Sequence, residues 1–272
     1  MTKIDGSVLE GVSATALWTL RSRALESQRP DGVLHDPWAE HLFDSIAFDY
    51  AMFGKPTHYH VVRALAFDRY IHYFLRQHPG AAVVSLAEGF QTSFWRLQSA
   101  LHDAGSHWYS VDLAPVMALR EKLLPTDARL SNVAASALDR TWMDRIDGDR
   151  PVLITAEGLL MYLPPDVALN LIADCARRFP GGKMIFDSIP PSYSRRTLRG
   201  LKLSKDYTLP PMPFSLSSAQ SRKLPDTVPG VNHVHKLPLP AGRGIWKLCG
   251  FRSLERLEPF RTMAPTQVRF DA

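Results

Sequence analysis

The chain has 272 residues, 45% of them hydrophobic, enough to bury one large core or one core carrying a smaller cap. A formal charge of +5 with a pI near 9.3 slightly favours acidic ligands, but the excess is small for this length and does not establish nucleic-acid binding. Two cysteines, Cys175 and Cys249, show no metal-like spacing and are too few for a disulfide scaffold. No apolar run approaches the roughly 20 residues that span a bilayer, and the polar start MTKIDGS lacks a secretory pattern. A cytoplasmic protein with no membrane or nucleic-acid partner is expected.

In chain order, residues 1–80 are largely helical in pattern, through VSATALWTLRSRALES, the turn QRPDGVLHDP, WAEHLFDSIAF and HVVRALAFDRYIHYFLRQ. Strand-like runs follow at AAVVSL (81–86), HWYSVDL (107–113), RLSNVAA (129–135), PVLITAE (151–157) and KMIFDS (183–188). Helical patterns lie between them, at APVMALREKLL (114–124) and PPDVALNLIADCARRF (164–179). Prolines suit a first turn, and Val167, Leu171 and Cys175 recur at i, i+4, i+8, so Cys175 is read as core. The alternation predicts a parallel sheet covered by helices.

The expected organisation is one α/β domain with a cap (1–80), a core (81–188), a proline-rich lid (189–241) and a final stretch completing the sheet (242–272). VNHVHKLPL and SLERLEPF are the candidate late strands. The basic residues Arg195, Arg196, Arg199, Lys202 and Lys205 fall in one predicted helical stretch, either a solvated face or an anion-attracting rim.

In open α/β sheets ligands bind at the carboxyl ends of strands, where this chain offers Glu88-Gly89, Asp112 and Glu157. Asp112 follows Gly89 at about the twenty-residue spacing of an acid that reaches a ribose hydroxyl pair; capping the next helix is the alternative. The loop VVSLAEGFQTSFWRL has one glycine where a pyrophosphate loop wants three, and Glu88 would repel a phosphate. An adenosine cofactor without phosphate fits better, which points to S-adenosylmethionine. Glu157 and Arg63 are candidates for its ammonium and carboxylate.

Taken together, TALWTLRSRALESQRPDGVLHDPWAEHL, VVSLAEGFQTSFWRL, YSVDLAPV, SALDRTW and ITAEGLLMYLP resemble the leucine carboxyl methyltransferase and tetracenomycin-type polyketide O-methyltransferase family, in its order over residues 15–164. The resemblance implies a class I methyltransferase fold, a Rossmann-like sheet of about seven mostly parallel strands with an N-terminal helical cap and a late substrate-covering insertion. It implies cofactor contacts at Arg63, Ala87, Glu88, Gly89, Gln91, Asp112, Leu113, Ala137, Leu138, Glu157 and Tyr162. Three positions depart from the family pattern: Ala87 for Gly, Gln91 for Asp and Ala137 for Asp.

The implied reaction is methyl transfer to a carboxylate or phenolic hydroxyl of a small metabolite, acidic or aromatic and polyketide-like. A macromolecular carboxyl acceptor and a non-catalytic ligand-binding relative are the alternatives. Tyr193, Arg195, His233, His235 and Trp246 are substrate candidates, and His58 and His60 are further candidate bases. Each HxH pair would share one face if it lay on a strand, as a metal site could use, but no third ligand presents itself and no metal is expected.

Overall fold

The computed structural model describes residues 3–250 and 262–272. The chain opens with β1 (Ile4–Asp5), α1 (Thr15–Ser27), α2 (Pro37–Ser45), β2 (Ile46–Ala47) and the twenty-residue α3 (His58–Gln77). β1 and β2 form a small parallel pair of their own. The alternating part runs β3 (Ala82–Leu86), α4 (Ser93–Arg96), α5 (Gln98–Asp103), β4 (His107–Asp112), α6 (Ala114–Leu123), β5 (Leu130–Ala134), β6 (Val152–Ala156), α7 (Pro165–Arg178) and β7 (Lys183–Phe186). After it come α8 (Pro191–Leu198), α9 (Ser218–Arg222), α10 (Leu224–Thr227), β8 (Val231–Lys236) and β9 (Thr266–Phe270).

The main sheet has seven strands in the order β5-β4-β3-β6-β7-β9-β8. The first five pair in parallel, and β9 is antiparallel to both β7 and β8. Period-two alternation sorts the central strands into two cores. Val84, Leu86, Ile154, Ala156, Met184 and Phe186 pack with Ala168, Leu171, Ile172 and Cys175 of α7. Val83, Leu153 and Ile185 face the other way, against Phe67, Ile71, Phe74 and Leu75 of α3. Both faces are therefore covered, which is why these runs read as continuously apolar. Cys175 is core, and burial pushes its thiol up to about 12.

Two expectations about the late region change. Residues 231–236, within the candidate strand VNHVHKLPL, do form edge strand β8, so the sheet's completion begins at Val231, inside the 189–241 tract, rather than at 242. TQVRF, which carries only five residues of strand pattern, supplies β9, the partner of both β7 and β8. The other candidate strand, SLERLEPF, lies outside the described residues. The order of the strands turns back between β3, whose sequence successor β4 lies on one side, and β6 on the other. That is a topological switch point, where the carboxyl ends splay and leave a crevice.

Candidate functional site

The crevice opens into a cavity of about 920 Å³. β3 ends at Leu86, and the next residues turn through Ala87 and Gly89, both in the left-handed region with φ of 48° and 58°. Across the crevice Asp112 closes β4 and receives the loop: Gly89 N–H donates to its Oδ2 at 2.6 Å and Leu113 N–H to its Oδ1 at 2.7 Å. Each oxygen keeps a lone pair for a further donor. Burial raises the Asp112 carboxyl above its ordinary range despite these two bonds.

An L-residue in the left-handed region is strained by about 1–2 kcal/mol, while a glycine there adds about 0.4–1 kcal/mol of unfolded-chain entropy. Ala87→Gly should therefore raise stability by up to about 1 kcal/mol, read as a higher urea midpoint at unchanged slope.

From below, the loop is held by two buried arginines. Arg120 Nη1 donates to the carbonyls of Gly89 and Gln91 at 2.7 and 2.9 Å, and Arg23 Nη2 donates to that of Phe90 at 2.7 Å. Desolvation lowers Arg23 to about 10, so it remains charged. Its carboxylate partner is Asp36, at 3.2 Å, which also accepts from Thr92, from Arg96 and from the Ala39 N–H that opens α2. Asp68 binds the far side of Arg96 at 2.7 Å. Of the charged residues in the segment TLRSRALESQRPDGVLHDP, Arg23 and Asp36 thus reach the loop from beneath. Glu88 borders the cavity, but its carboxylate is buried 3.2 Å from Arg120 Nη2, in ion-pair rather than hydrogen-bond geometry. The acid counted against a phosphate in the sequence is turned toward Arg120.

At the other wall Arg63 of α3 meets two strand-end acids. Its Nε donates to Glu157 Oε1 at 2.9 Å and its Nη1 to Asp187 Oδ2 at 2.8 Å. Gln91 Nε2 donates to the same Glu157 oxygen at 2.6 Å, and Gly158 N–H to Asp187 Oδ1 at 2.6 Å. Gly158 has φ +74°, and a Cβ there would lie 3.3 Å from Arg63 Nη1, so a side chain would be both strained and crowded against the guanidinium. Two carboxylates against one guanidinium leave this wall with a net charge of −1.

Leu113 and Leu138, 44% and 41% exposed, line a third part of the cavity beside Ala137. Tyr162, Tyr193 and Trp246 line it as well, with Trp18, Phe53, Met161, Ile189, Leu203 and Met212. From the late region Ile189, Tyr193, Leu203 and Met212 line the cavity. Three substrate candidates do not reach it. Arg195 is exposed on α8, because residues two apart on a helix point nearly opposite ways and Tyr193 is the one turned inward. His233 and His235 are exposed on edge strand β8. All five basic residues of 195–205 are exposed and none lines the cavity, the arrangement of a solvated face.

His58 and His60 sit on α3, not on a strand, so they diverge. His58 Nε2 accepts from Arg243 N–H at 2.7 Å, beside Glu26, whereas His60 lines the cavity. Among the described residues no group of three His, Cys, Asp or Glu side chains could hold a metal.

The model of a family described as leucine carboxyl methyltransferase matches residues 16–176. The tetracenomycin polyketide synthesis O-methyltransferase TcmP of Streptomyces glaucescens is 32% identical over 226 residues, 82% of this chain and 81% of that protein. A protein of Mycolicibacterium gilvum named as an S-adenosyl-L-methionine-dependent methyltransferase is 30% identical over 218 residues, covering 68% and 70%. The chain belongs to the leucine carboxyl methyltransferase family. A methyltransferase crystal structure from Thermobifida fusca has the same fold, with a TM-score of 0.59 at 17% identity over 92% of this chain and 94% of that one.

As a member of this family the chain is an S-adenosylmethionine-dependent methyltransferase, and its cavity fits that molecule on chemical grounds. A net −1 wall complements a group with one carboxylate, one ammonium and one sulfonium. Asp112 has acceptor capacity in reserve for vicinal hydroxyls, and two exposed leucines offer apolar faces for a purine. Asp187 is the site residue that the sequence reading missed, though it carried the signal that picked Asp112 and Glu157, an acid at the end of a buried strand. Gly158 and the buried arginines beneath the loop were missed as well, and no local pattern announces them.

Burial raises the Glu157 carboxyl above its ordinary value, outweighing Arg63. If its charge holds the cofactor's ammonium, affinity for S-adenosylhomocysteine should weaken as pH falls toward 5, before ordinary carboxylates near 4.5 protonate. Calorimetric titrations between pH 7.5 and about 5 would show this, and Glu157→Gln should flatten the dependence.

Proposed function

We propose that this methyltransferase acts on an oxygen of a small aromatic metabolite of polyketide type, either a phenolic hydroxyl or a carboxylate. The observation that carries the reading is the cavity itself: beyond the charged wall it continues into a chamber lined by Trp18, Phe53, Met161, Ile189, Tyr193 and Met212. At about 920 Å³ it lies at the upper end of the roughly 300–1,000 Å³ of small-molecule pockets, room for a cofactor and an acceptor side by side. The O-methyltransferase name of the Streptomyces glaucescens relative supports the same reaction.

In this reading Asp112 holds the ribose, Leu113, Ala137 and Leu138 enclose the adenine, and Ala87, Gly89 and Gln91 pass beneath. Glu157 faces the ammonium and Arg63 the carboxylate. S-adenosylmethionine, when bound, supplies a methyl group on a positively charged sulfur. The chain's contribution is placement, since in-line displacement is accelerated mainly by holding the two reactants aligned in a dry site. Incubation with methyl-labelled S-adenosylmethionine and a panel of hydroxylated and carboxylated polycyclic aromatics should label an aromatic acceptor. Labelling of proteins or peptides, with none of the aromatics labelled, would replace this reading with a macromolecular acceptor.

A further inference from the structure

Trp246 lines the cavity from a short segment whose neighbours show how it is held. Gly242 N–H donates to the Trp246 carbonyl at 2.9 Å and Trp246 N–H to that of Arg243 at 3.0 Å, so residues 242–246 close into one tight turn. Arg243 and Trp246 are thereby coupled. Ile245 and Leu248 of the same stretch are exposed, which leaves the holding to the segment's inner side.

That inner side lies on α3 and α1. Gly242 is flush with α3: a Cβ there would come within 2.6 Å of both His58 Nε2 and Val62 Cγ1. Arg243 reaches across to Glu26 on α1, where its Nε donates to Oε1 at 2.9 Å and its Nη2 donates to Oε2. Its own N–H donates to His58 Nε2 at 2.7 Å, and His58 Nδ1 lies 3.4 Å from Glu26 Oε2. Glu26 is buried and also receives the Val33 N–H. Burial pushes its carboxyl up, yet Arg243, Val33 and His58 together hold it below its ordinary value. A two-pronged bond from a guanidinium to an ionised carboxylate is strong and fixes direction as well as distance.

Trp246 is the group so placed. Its ring lies against that of Tyr59, with centroids 5.7 Å apart and planes at 33°, and the Arg63 guanidinium lies 5.8 Å from the Tyr59 ring in turn. Arg63 binds the acids that follow β6 and β7, whereas Asp112, Leu113 and Leu138 belong to the β4 and β5 side of the sheet. Trp246 therefore borders the cavity beyond the wall assigned to the methionine end, away from the surfaces assigned to the adenine.

We propose that Arg243 is a positioning residue for the methyl acceptor: through Glu26 and His58 it fixes Trp246 as the aromatic surface on which a flat acceptor stacks. The proposal rests on the methyltransferase reading above. It gives control of acceptor affinity, and not of cofactor affinity, to a clasp that touches neither molecule.

Thermal melting first sets a temperature at which wild type and the variants Arg243→Ala, Arg243→Lys, Gly242→Ala and Trp246→Ala are folded. Calorimetry with S-adenosylhomocysteine follows, and affinities within about threefold of wild type are expected throughout. No binding to wild type would sink the methyltransferase reading itself; cofactor affinity lost in parallel with acceptor affinity would overturn the positioning role. The S-adenosylhomocysteine complex is then titrated with 2-naphthoic acid and 2-naphthol while the indole N–H signals of nitrogen-labelled tryptophan are followed, that of Trp246 being identified by its loss in Trp246→Ala. At least one probe should bind and shift that signal. Trp246→Ala and Arg243→Ala should each weaken the binding about five- to tenfold, the scale of one aromatic stacking contact. Gly242→Ala should do the same by lifting the turn off α3 with Glu26 untouched, and Arg243→Lys, which keeps the charge but not the fork, should fall between. Because Arg243 acts through Trp246, removing both should be no more than about twofold worse than Trp246→Ala alone. Failure of both probes to bind, binding that leaves the Trp246 signal in place, wild-type acceptor affinity in Arg243→Ala, or additive losses in the double variant would overturn the proposal.

Discussion

Asp112→Ala should weaken S-adenosylhomocysteine binding by at least about 100-fold. Two hydrogen bonds from ribose hydroxyls to a carboxylate, at about 1.5 kcal/mol each, amount to about 3 kcal/mol, and each 1.4 kcal/mol is a factor of ten. The same carboxylate also accepts from Gly89 and Leu113, so alanine frees the loop as well as removing the ribose contact. Asp112→Asn separates the two effects. Its amide fills the same volume and keeps one acceptor oxygen, so the melting temperature should change less than in the alanine variant while affinity still falls. Calorimetry beside thermal melting reads both, and an alanine variant that binds as wild type would remove Asp112 from the cofactor site.

Asp36→Ala should cost about 3–5 kcal/mol of folding stability, the usual penalty for breaking a buried ion pair. The carboxylate is buried among Arg23, Arg96, Thr92 and the first turn of α2. Desolvation alone would raise its pKa, yet the two guanidiniums outweigh burial and hold it below the usual range. Removing it leaves Arg23 buried with no carboxylate bound, whereas Arg96 keeps Asp68. Urea unfolding measures the loss, and a change below about 1 kcal/mol would show that the cluster relaxes around the missing acid. The contribution disappears in acid: a depressed carboxylate stabilises above its unfolded pKa, and that stability is lost as pH falls through the lower folded value.

How much of this was legible depended on the range of the interaction. The central strands could be read because each is a short, fully buried apolar run, and the strand-end rule then led from β4 and β6 to Asp112 and Glu157. Asp187 obeyed the same rule at β7 and was passed over. The buried cluster beneath the loop joins Arg23 to Phe90 and Asp36 to Arg96, across 67 and 60 residues, and no local periodicity encodes such a pairing. The pair His58 and His60 diverges for a different reason. HxH spacing selects one face only on a strand; at the start of α3 it sends His58 toward Arg243 and His60 into the cavity. Arg195 was lost to the same geometry, two residues from Tyr193 on α8.

β9 follows β8 in the chain but lies inside it in the sheet, between β8 and β7. During folding β8 has nothing to pair with until β9 arrives, and until then β7 presents an open edge of unpaired backbone groups. The five parallel strands pair with one another without them, whereas β8 joins the sheet only through β9. A partly folded chain lacking 266–270 is therefore not merely shorter by one strand. It loses two, and carries a sticky border able to recruit another copy, which makes the order of assembly a hazard for aggregation.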